Sequence, residues 1–405
     1  MAMETTTQGE MLTTFRTEFL DTGRIHDELT HLWARLGGPP KGGDGTSEII
    51  AEPHFGGGGL MRTNTLNLIA VARDPDEAAQ IAEHVSLLRD FLPSRAIILR
   101  DHDGEPSEAP FFDVRVELME QQRKDGKPGL RFEAITIAAH RHEMGELASL
   151  VSPLFVAELP DFLWWPGGDF ARNGLFEDLL ELVDRVIVDS ARIGHDASGV
   201  SAMKDLLHDD DEDAGPPLGD FSWLRLAPWR QLLAQFFDPP EVQHSLATIE
   251  QVTISYADTQ ADGSSGFASA LLTVGWLASR LGWEPVDALE RRKGGGWSAP
   301  LSANDGGRKR DVSLRLIPVK GDQPHDALTE VKLFAGGDAP GTFQVERTDE
   351  TNLMTSSESR SVPLVSRIVY ASPPSDDHML GEELQRFGSD RVFEEALRFA
   401  TRLLP

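Results

Sequence analysis

Residues 66–99 read LNLIAVARDPDEAAQIAEHVSLLRDFLPSRAIIL. Leu66 to Ala72 is a near-continuous apolar run, the pattern of a strand covered on both faces. Asp74-Pro75-Asp76-Glu77 then supplies a helix cap, a proline at the first helical position and a glutamate two residues on, which predicts a helix to about Phe91. Ser94 to Leu99 is a second apolar strand. Strand, helix and strand in so short a span form a βαβ unit. The turn that opens it has no glycine, carries the carboxylates of Asp74, Asp76 and Glu77, and loses an amide to Pro75. A pyrophosphate needs backbone N–H groups at that helix start and would be repelled here. The sequence therefore predicts Rossmann-like topology without its usual cofactor site, and no cofactor is expected.

Outward from this unit, Phe111 to Leu118 and Phe132 to Ala138 have strand patterning around Lys124-Asp125-Gly126-Lys127-Pro128-Gly129, a hairpin that would extend the sheet. Leu147 to Leu159 fits a buried helix. Asp161 to Trp165 (DFLWW) and Arg185 to Val188 (RVIV) fit further strands, with a helix at Leu175 to Val183 between them. The Trp- and Leu-rich stretch from Phe221 to Trp283 is expected to complete the same domain. Gly294 to Gly307 (GGGWSAPLSANDGG) is the expected boundary. Beyond it, short alternating runs predict an antiparallel meander, its dry face covered by a terminal helix from about Asp390. Before the βαβ unit, Arg24 to Leu36 has helical spacing, and residues 42–59 hold seven glycines, the composition of a flexible loop. The expected fold is α/β: an N-terminal helix and loop over 1–59, a Rossmann-like, mostly parallel sheet domain over 60–293, and a smaller α+β domain with an antiparallel sheet over 308–405.

Composition narrows the function. The 405 residues carry 38 Lys and Arg against 66 Asp and Glu, a formal charge of −28. Such a chain repels phosphodiester backbones and anionic lipid, so neither nucleic acid nor membrane is an expected partner. With no cysteine, thiol nucleophiles, thiolate metal sites and disulfides are excluded. The polar start of the chain carries no signal-peptide pattern, and a cytoplasmic location is expected.

No P-loop, Gly-x-Ser-x-Gly, His-Glu-x-x-His or Gly-x-Gly-x-x-Gly occurs. His140 and His142 would share a strand face but lack a third ligand at a diagnostic spacing, and His208 to Asp213 (HDDDED) fits a solvated linker, so no metal is expected. Asp189-Ser190 ends an apolar strand, where ligands of open α/β sheets lie, or where a cap or turn would serve. Arg62 and Arg95 flank strand starts and are candidate phosphate contacts. Six of the eight tryptophans fall between Trp164 and Trp283. Trp164 and Trp165 are consecutive strand residues and must point to opposite faces, so one of them needs cover from a helix, a ligand or a partner.

Several strings resemble a known family. Pro93-Ser94-Arg95-Ala96-Ile97, Leu159 to Gly167 (LPDFLWWPG), Asp184 to Ala191 (DRVIVDSA), Trp223 to Arg230 (WLRLAPWR) and Gly275 to Trp283 (GWLASRLGW) stand in the order and spacing of the glucose-6-phosphate dehydrogenase assembly proteins, called OpcA. Ala227 departs from the Thr often found before Pro-Trp-Arg. The resemblance covers about residues 60–283 well and the remainder in outline. It implies a non-catalytic partner that promotes the active oligomer of glucose-6-phosphate dehydrogenase in the oxidative pentose phosphate pathway. In photosynthetic relatives the family is associated with thioredoxin-dependent control, in which a cysteine-free chain cannot itself be the thiol target. Candidate partner contacts are whichever of Trp164, Trp165, Arg225, Trp229 and Arg230 reach the surface. The alternatives are a sugar-phosphate sensor, or a sugar-phosphate-acting enzyme with Arg95 on phosphate and Asp189 as base.

Overall fold

The computed structural model describes residues 10–37, 64–88, 92–101, 112–122, 128–140, 144–171, 173–193, 197–207, 215–258, 266–305, 308–320, 327–337, 340–359 and 365–405. The glycine-rich segment 42–59, Arg62, His142 and the acidic run 208–213 lie outside them. The chain divides into two compact units, Met1–Trp165 with Gly174–Asp184, and Pro166–Asn173 with Arg185–Pro405.

The first unit runs β1 (Glu10–Thr17), α1 (Thr22–Gly37), β2 (Leu66–Ala72), α2 (Pro75–Leu88), β3 (Ser94–Asp101), β4 (Phe112–Gln122), β5 (Pro128–Ala139), α3 (Leu147–Val151), β6 (Asp161–Trp165) and α4 (Gly174–Leu180). Its strands lie in the order β1-β4-β5-β3-β2-β6. The centre is parallel, β2 pairing with β3 and β6, and β3 with β5. β4 and then β1 add antiparallel. Every residue of β2 is buried, which is why its sequence does not alternate.

The turn after β2 has the capping chemistry its sequence predicts. Asp74 Oδ1 accepts the Glu77 N–H at 2.8 Å, and Glu77 Oε2 accepts the Arg73 N–H at 2.7 Å. The helix start is thus capped by the chain's own carboxylates. The polar, Thr-rich composition of β1 does not predict a strand. It becomes one because β4 offers an edge: Thr13 and Phe15 turn inward and are buried, while Thr14 and Arg16 stay exposed.

The second unit contains β7 (Arg185–Val188), α5 (Ser198–Lys204), β8 (Leu218–Asp220), α6 (Phe221–Arg225), α7 (Ala227–Gln235), α8 (Pro240–Gln243), β9 (Ile249–Ala257), α9 (Phe267–Leu281), β10 (Trp283–Pro285), β11 (Glu290–Arg291), β12 (Trp297–Asp305), β13 (Arg308–Val319), β14 (Leu328–Ala335), β15 (Gly341–Arg347), β16 (Asn352–Ser359), β17 (Val365–Tyr370), α10 (Asp376–Glu383) and α11 (Arg391–Arg402). β7 and β8 pair in parallel. The large sheet has the order β10-β12-β13-β9-β14-β15-β16-β17, with β11 beside β12. All its pairings are antiparallel except β9 with β13.

Two sequence expectations change here. The boundary expected at 294–307 contains β12, paired along its length with β13. The segment from Phe221 to Trp283 belongs to this unit, since β9 sits at the middle of its sheet between β13 and β14. Local composition shows neither fact, because the partners of β9 lie far along the chain.

Close approach fixes the packing of this unit. A side chain on Gly275 would strike the carbonyl of Ala396, so the glycine of GWLASRLGW lets α9 and α11 cross in contact. One on Gly219 would strike the Glu383 carboxylate. That carboxylate is committed: Arg185 reaches it at 2.5 Å with both side chains sealed from water, and Arg185 also donates to the Gly388 carbonyl at 2.8 Å. Removing one partner strands a buried charge. Arg185→Met is expected to lower stability by about 3–5 kcal/mol, and adding Glu383→Leu should recover part of the loss. Denaturant melts of the single and double variants check this; additive losses would show the pair to be uncoupled.

Candidate functional site

Two of the strings singled out in the sequence, DRVIVDSA and WLRLAPWR, meet in the second unit. The parallel ladder sets Val188 opposite Asp220, so the ends of β7 and β8 carry Asp189 and Asp220 side by side. Asp220 caps α6 by accepting the Ser222 N–H at 3.1 Å. It also accepts the Ser190 N–H at 2.9 Å and pairs with the Ser190 hydroxyl at 2.7 Å. Asp189, wholly buried, receives both terminal nitrogens of Arg225 at 2.8 and 2.7 Å, a forked contact. Arg192 adds a contact at 3.3 Å and reaches Asp376 on α10 at 3.0 Å. The node therefore joins DRVIVDSA to WLRLAPWR.

Its electrostatics divide the two carboxylates. Burial alone pushes Asp189 up, but the charge and hydrogen bonds of Arg225, with Arg192 behind them, outweigh it and hold the group below the usual carboxylate range. Burial, then the Asp189 charge, push Asp220 up to about 7 despite its hydrogen bonds to Ser190 and Ser222. A sealed carboxylate held ionised by arginine is a poor proton acceptor, which counts against Asp189 as a catalytic base.

The rest of WLRLAPWR is equally committed. The Arg230 guanidinium stands 3.5 Å from the Trp223 ring centre and donates to the Trp223 carbonyl at 2.7 Å. Burial lowers the Arg230 pKa to about 10, so it keeps its charge at neutral pH. Trp223 Nε1 donates to Asp390 at 2.9 Å, and Asp390 caps α11 through the N–H groups of Val392 and Phe393. Trp229 is 2% exposed, with the Arg347 guanidinium 5.7 Å from its ring centre.

In the first unit, Trp164 is 1% and Trp165 5% exposed. Helices cover both: His84 of α2 meets Trp164 edge-on, and Phe176 of α4 meets Trp165 with ring centres 5.1 Å apart. None of the eight tryptophans is exposed, so the surface handle expected of them is not there. Each ring finds cover inside its own unit, where burial of so much apolar area is most favourable. Arg95 is not a phosphate contact either. It is buried in an ion pair with Glu133 at 2.6 Å, donates to the Leu154 carbonyl at 2.7 Å, and Glu133 also accepts from Trp33 at 2.6 Å. Arg62 lies outside the described residues.

Sequence reasoning missed Asp220 and Asp376, and took Asp390 only as a helix start. Asp220 and Asp390 had a signal, an Asp just before a helix; Asp376 had none, since only folding brings α10 to Arg192. The first unit also holds a cleft of about 900 Å³ between α2 and the outer strands, lined by Arg16, Arg100 and Arg115 with Asp113 and Glu117. Arg16 is paired there with Asp113 at 2.6 Å, and Arg115 with Glu117. Among the described residues no group of three or more His, Asp or Glu is placed to hold a metal, and no helix is long and apolar enough to cross a membrane.

Fold and node define a two-unit α/β protein whose sequence-marked charges and indoles brace its own interior. Two family descriptions, the N-terminal domain and the C-terminal domain of a glucose-6-phosphate dehydrogenase subunit, match residues 88–205 and 216–397 respectively. The chain belongs to the OpcA family of glucose-6-phosphate dehydrogenase assembly proteins. It is 28% identical over 367 residues to an OxPP cycle protein OpcA of Nostoc punctiforme, covering 88% of this chain and 74% of that one. Proteins of the same name from Synechocystis and Synechococcus elongatus are 26% and 28% identical over 67% and 65% of this chain. The matched stretches span 56% and 58% of those two relatives. Among solved structures, an oxidoreductase from Sinorhizobium meliloti overlaps with a TM-score of 0.43 at 12% identity, covering 84% of this chain and 89% of that one. A dehydrogenase from Clostridium difficile overlaps with a TM-score of 0.41 at 10% identity, covering 84% and 97%.

The raised Asp220 sets a pH dependence. Between about 4, the ordinary carboxylate value, and about 7 the folded chain keeps a proton on Asp220 that the unfolded chain has released. Its stabilising contribution is complete below that window and fades as pH rises through it. Asp189, held low, contributes with the opposite sign and loses its effect only as pH falls through its depressed value. Asp220→Asn keeps an acceptor without the charge. The stability of the parent relative to this variant is expected to fall by a few kcal/mol from pH 4 to pH 8. Urea melts across that range check it; parallel profiles would refute the buried, proton-holding Asp220.

Proposed function

We propose that this chain is a non-catalytic partner of glucose-6-phosphate dehydrogenase that binds the enzyme's active oligomer in the cytoplasm and draws the oligomerisation equilibrium toward it. Membership of the OpcA family through both of its domain descriptions is the observation that carries this reading. The site chemistry agrees with it: Asp189, Arg225, Arg230 and Arg95 are each engaged by groups of their own unit. A binding partner shifts a two-state equilibrium only by its differential affinity, so a hundredfold shift needs about 2.7 kcal/mol, which a few well-packed contacts supply. In this scheme Trp223, Trp229, Arg225 and Arg230 hold the binding surface in shape from beneath.

A second reading, a sugar-phosphate sensor, is favoured by the arginine-lined cleft of the first unit. The two readings separate experimentally. Mixing the protein with the cognate dehydrogenase is expected to raise both the oligomer mass seen by light scattering and the NADP-dependent rate; no change in either would defeat the assembly reading. Sugar phosphates at a hundredfold excess over their dissociation constant would stabilise a sensor by about 2.7 kcal/mol. A flat thermal-shift titration removes that second reading.

A further inference from the structure

The large sheet of the second unit ends in β17, VSRIVY, and among the described residues no strand pairs with its far side. Five of its six residues are exposed and Val369 is half-buried. Val365, Ile368 and Tyr370 are 51%, 67% and 74% exposed. Natural sheet edges are usually blunted by lysine, proline, inward-pointing charge or very short strands. The opposite edge of the same sheet follows that rule, since β10 is a three-residue strand holding Glu284 and Pro285. β17 has a single charge, Arg367, and neither a proline nor a carboxylate. Its far side therefore presents a row of backbone N–H and C=O groups with bulky β-formers on either side.

The two faces of the strand differ. Register with β16 puts Val365, Arg367 and Val369 opposite Ser357, Thr355 and Leu353. On that face a shallow hollow of about 330 Å³ runs from β17 to α7, lined by Pro228, Gln231, Gln235, Arg367 and Val369, with no carboxylate among its described residues. Arg367 donates one hydrogen bond there, to Gln235 at 2.5 Å. Ile368 and Tyr370 project from the other face. In a chain of charge −28 this is a carboxylate-free strip centred on a cation.

We infer that β17 accepts an extended strand of the dehydrogenase by edge addition, the incoming segment carrying a carboxylate opposite Arg367 and apolar residues beside it that meet Ile368 and Tyr370. This rests on the assembly reading above and names its contact. Main-chain hydrogen bonds to the row along β17 supply affinity, and the alternation of side chains supplies register. Charge selects the occupant: a second copy would set −28 against −28, whereas a foreign strand with one acid finds Arg367 beside a hollow whose described lining holds no carboxylate.

The test uses the full chain and the cognate dehydrogenase. Ile368→Lys and Arg367→Glu replace exposed side chains, and their thermal midpoints should match the parent. Phe19→Lys, at a residue 75% exposed in the first unit, is the control. Calorimetric titration is expected to show Ile368→Lys and Arg367→Glu weakening the complex at least tenfold, Phe19→Lys leaving it unchanged, and β17 amide exchange slowing on binding. Parent-like affinity of Ile368→Lys would overturn the edge assignment while leaving the assembly reading intact. A parent that is dimeric alone, and monomeric as Ile368→Lys, would assign the edge to a second copy and overturn it equally. A parent that does not bind the dehydrogenase at all would remove the assembly reading, and this contact with it.

Discussion

Arg185 and Glu383 meet at 2.5 Å in the second unit, both sealed from water and 198 residues apart in the chain. Two charges taken that far from solvent are tolerable only together, and the geometry around them leaves little freedom. Arg185 opens β7, whose partner β8 carries Gly219, and that glycine is bare because the Glu383 carboxylate occupies the space of a side chain. The Gly388 carbonyl, accepting a further Arg185 N–H, pins the turn between α10 and α11. A single ion pair thus fixes the short parallel ladder against the last two helices. The Asp189–Arg225 contact and the Trp223–Asp390 hydrogen bond repeat the pattern on neighbouring elements. Polar groups here act as registration pins, with the surrounding apolar packing supplying the bulk of the stability.

This arrangement changes what the marked strings mean. Long Trp- and Arg-rich runs invite reading as contact surface, because tryptophan and arginine dominate interface hot spots. In this protein they are interior. Trp164 and Trp165 are shared between α2 and α4, while Trp223 and Arg230 stack on each other and tie α6 and α7 to the cap of α11. Among the apolar side chains that do reach solvent, Val365, Ile368 and Tyr370 occupy one short run that no string emphasised. The two kinds of segment differ in how they read because buried aromatics must fit a close-packed interior, whereas an exposed strand meets no such constraint.

The parts legible in the sequence are those with local causes. The apolar run of β2, the Asp74 and Glu77 caps and the strand at Ser94 each follow from a few adjacent residues, and the structure has them where the pattern puts them. β1 was invisible because Thr13 and Phe15 acquire an inside only when β4 lies beside them. The strand β12 hid behind Gly294 to Gly296 and its own small residues, a composition that also describes a linker. Of the node, Asp189, Ser190 and Arg225 could be named from strand and helix ends; the fact that Arg225 forks onto Asp189 could not.

The α/β alternation of the first unit, the carboxylate-filled turn after β2 and the exclusion of thiol chemistry are written in the amino-acid sequence. Each follows from periodicity, capping or residue content, properties that adjacent residues carry without reference to the rest of the chain. Tertiary structure alone decided which charges pair, which tryptophans are covered and which strand is left at an edge. Those outcomes depend on contacts such as the one across 36 residues between Asp189 and Arg225, where each partner's chemistry is visible in the sequence but their distance is set only by the folded path between them.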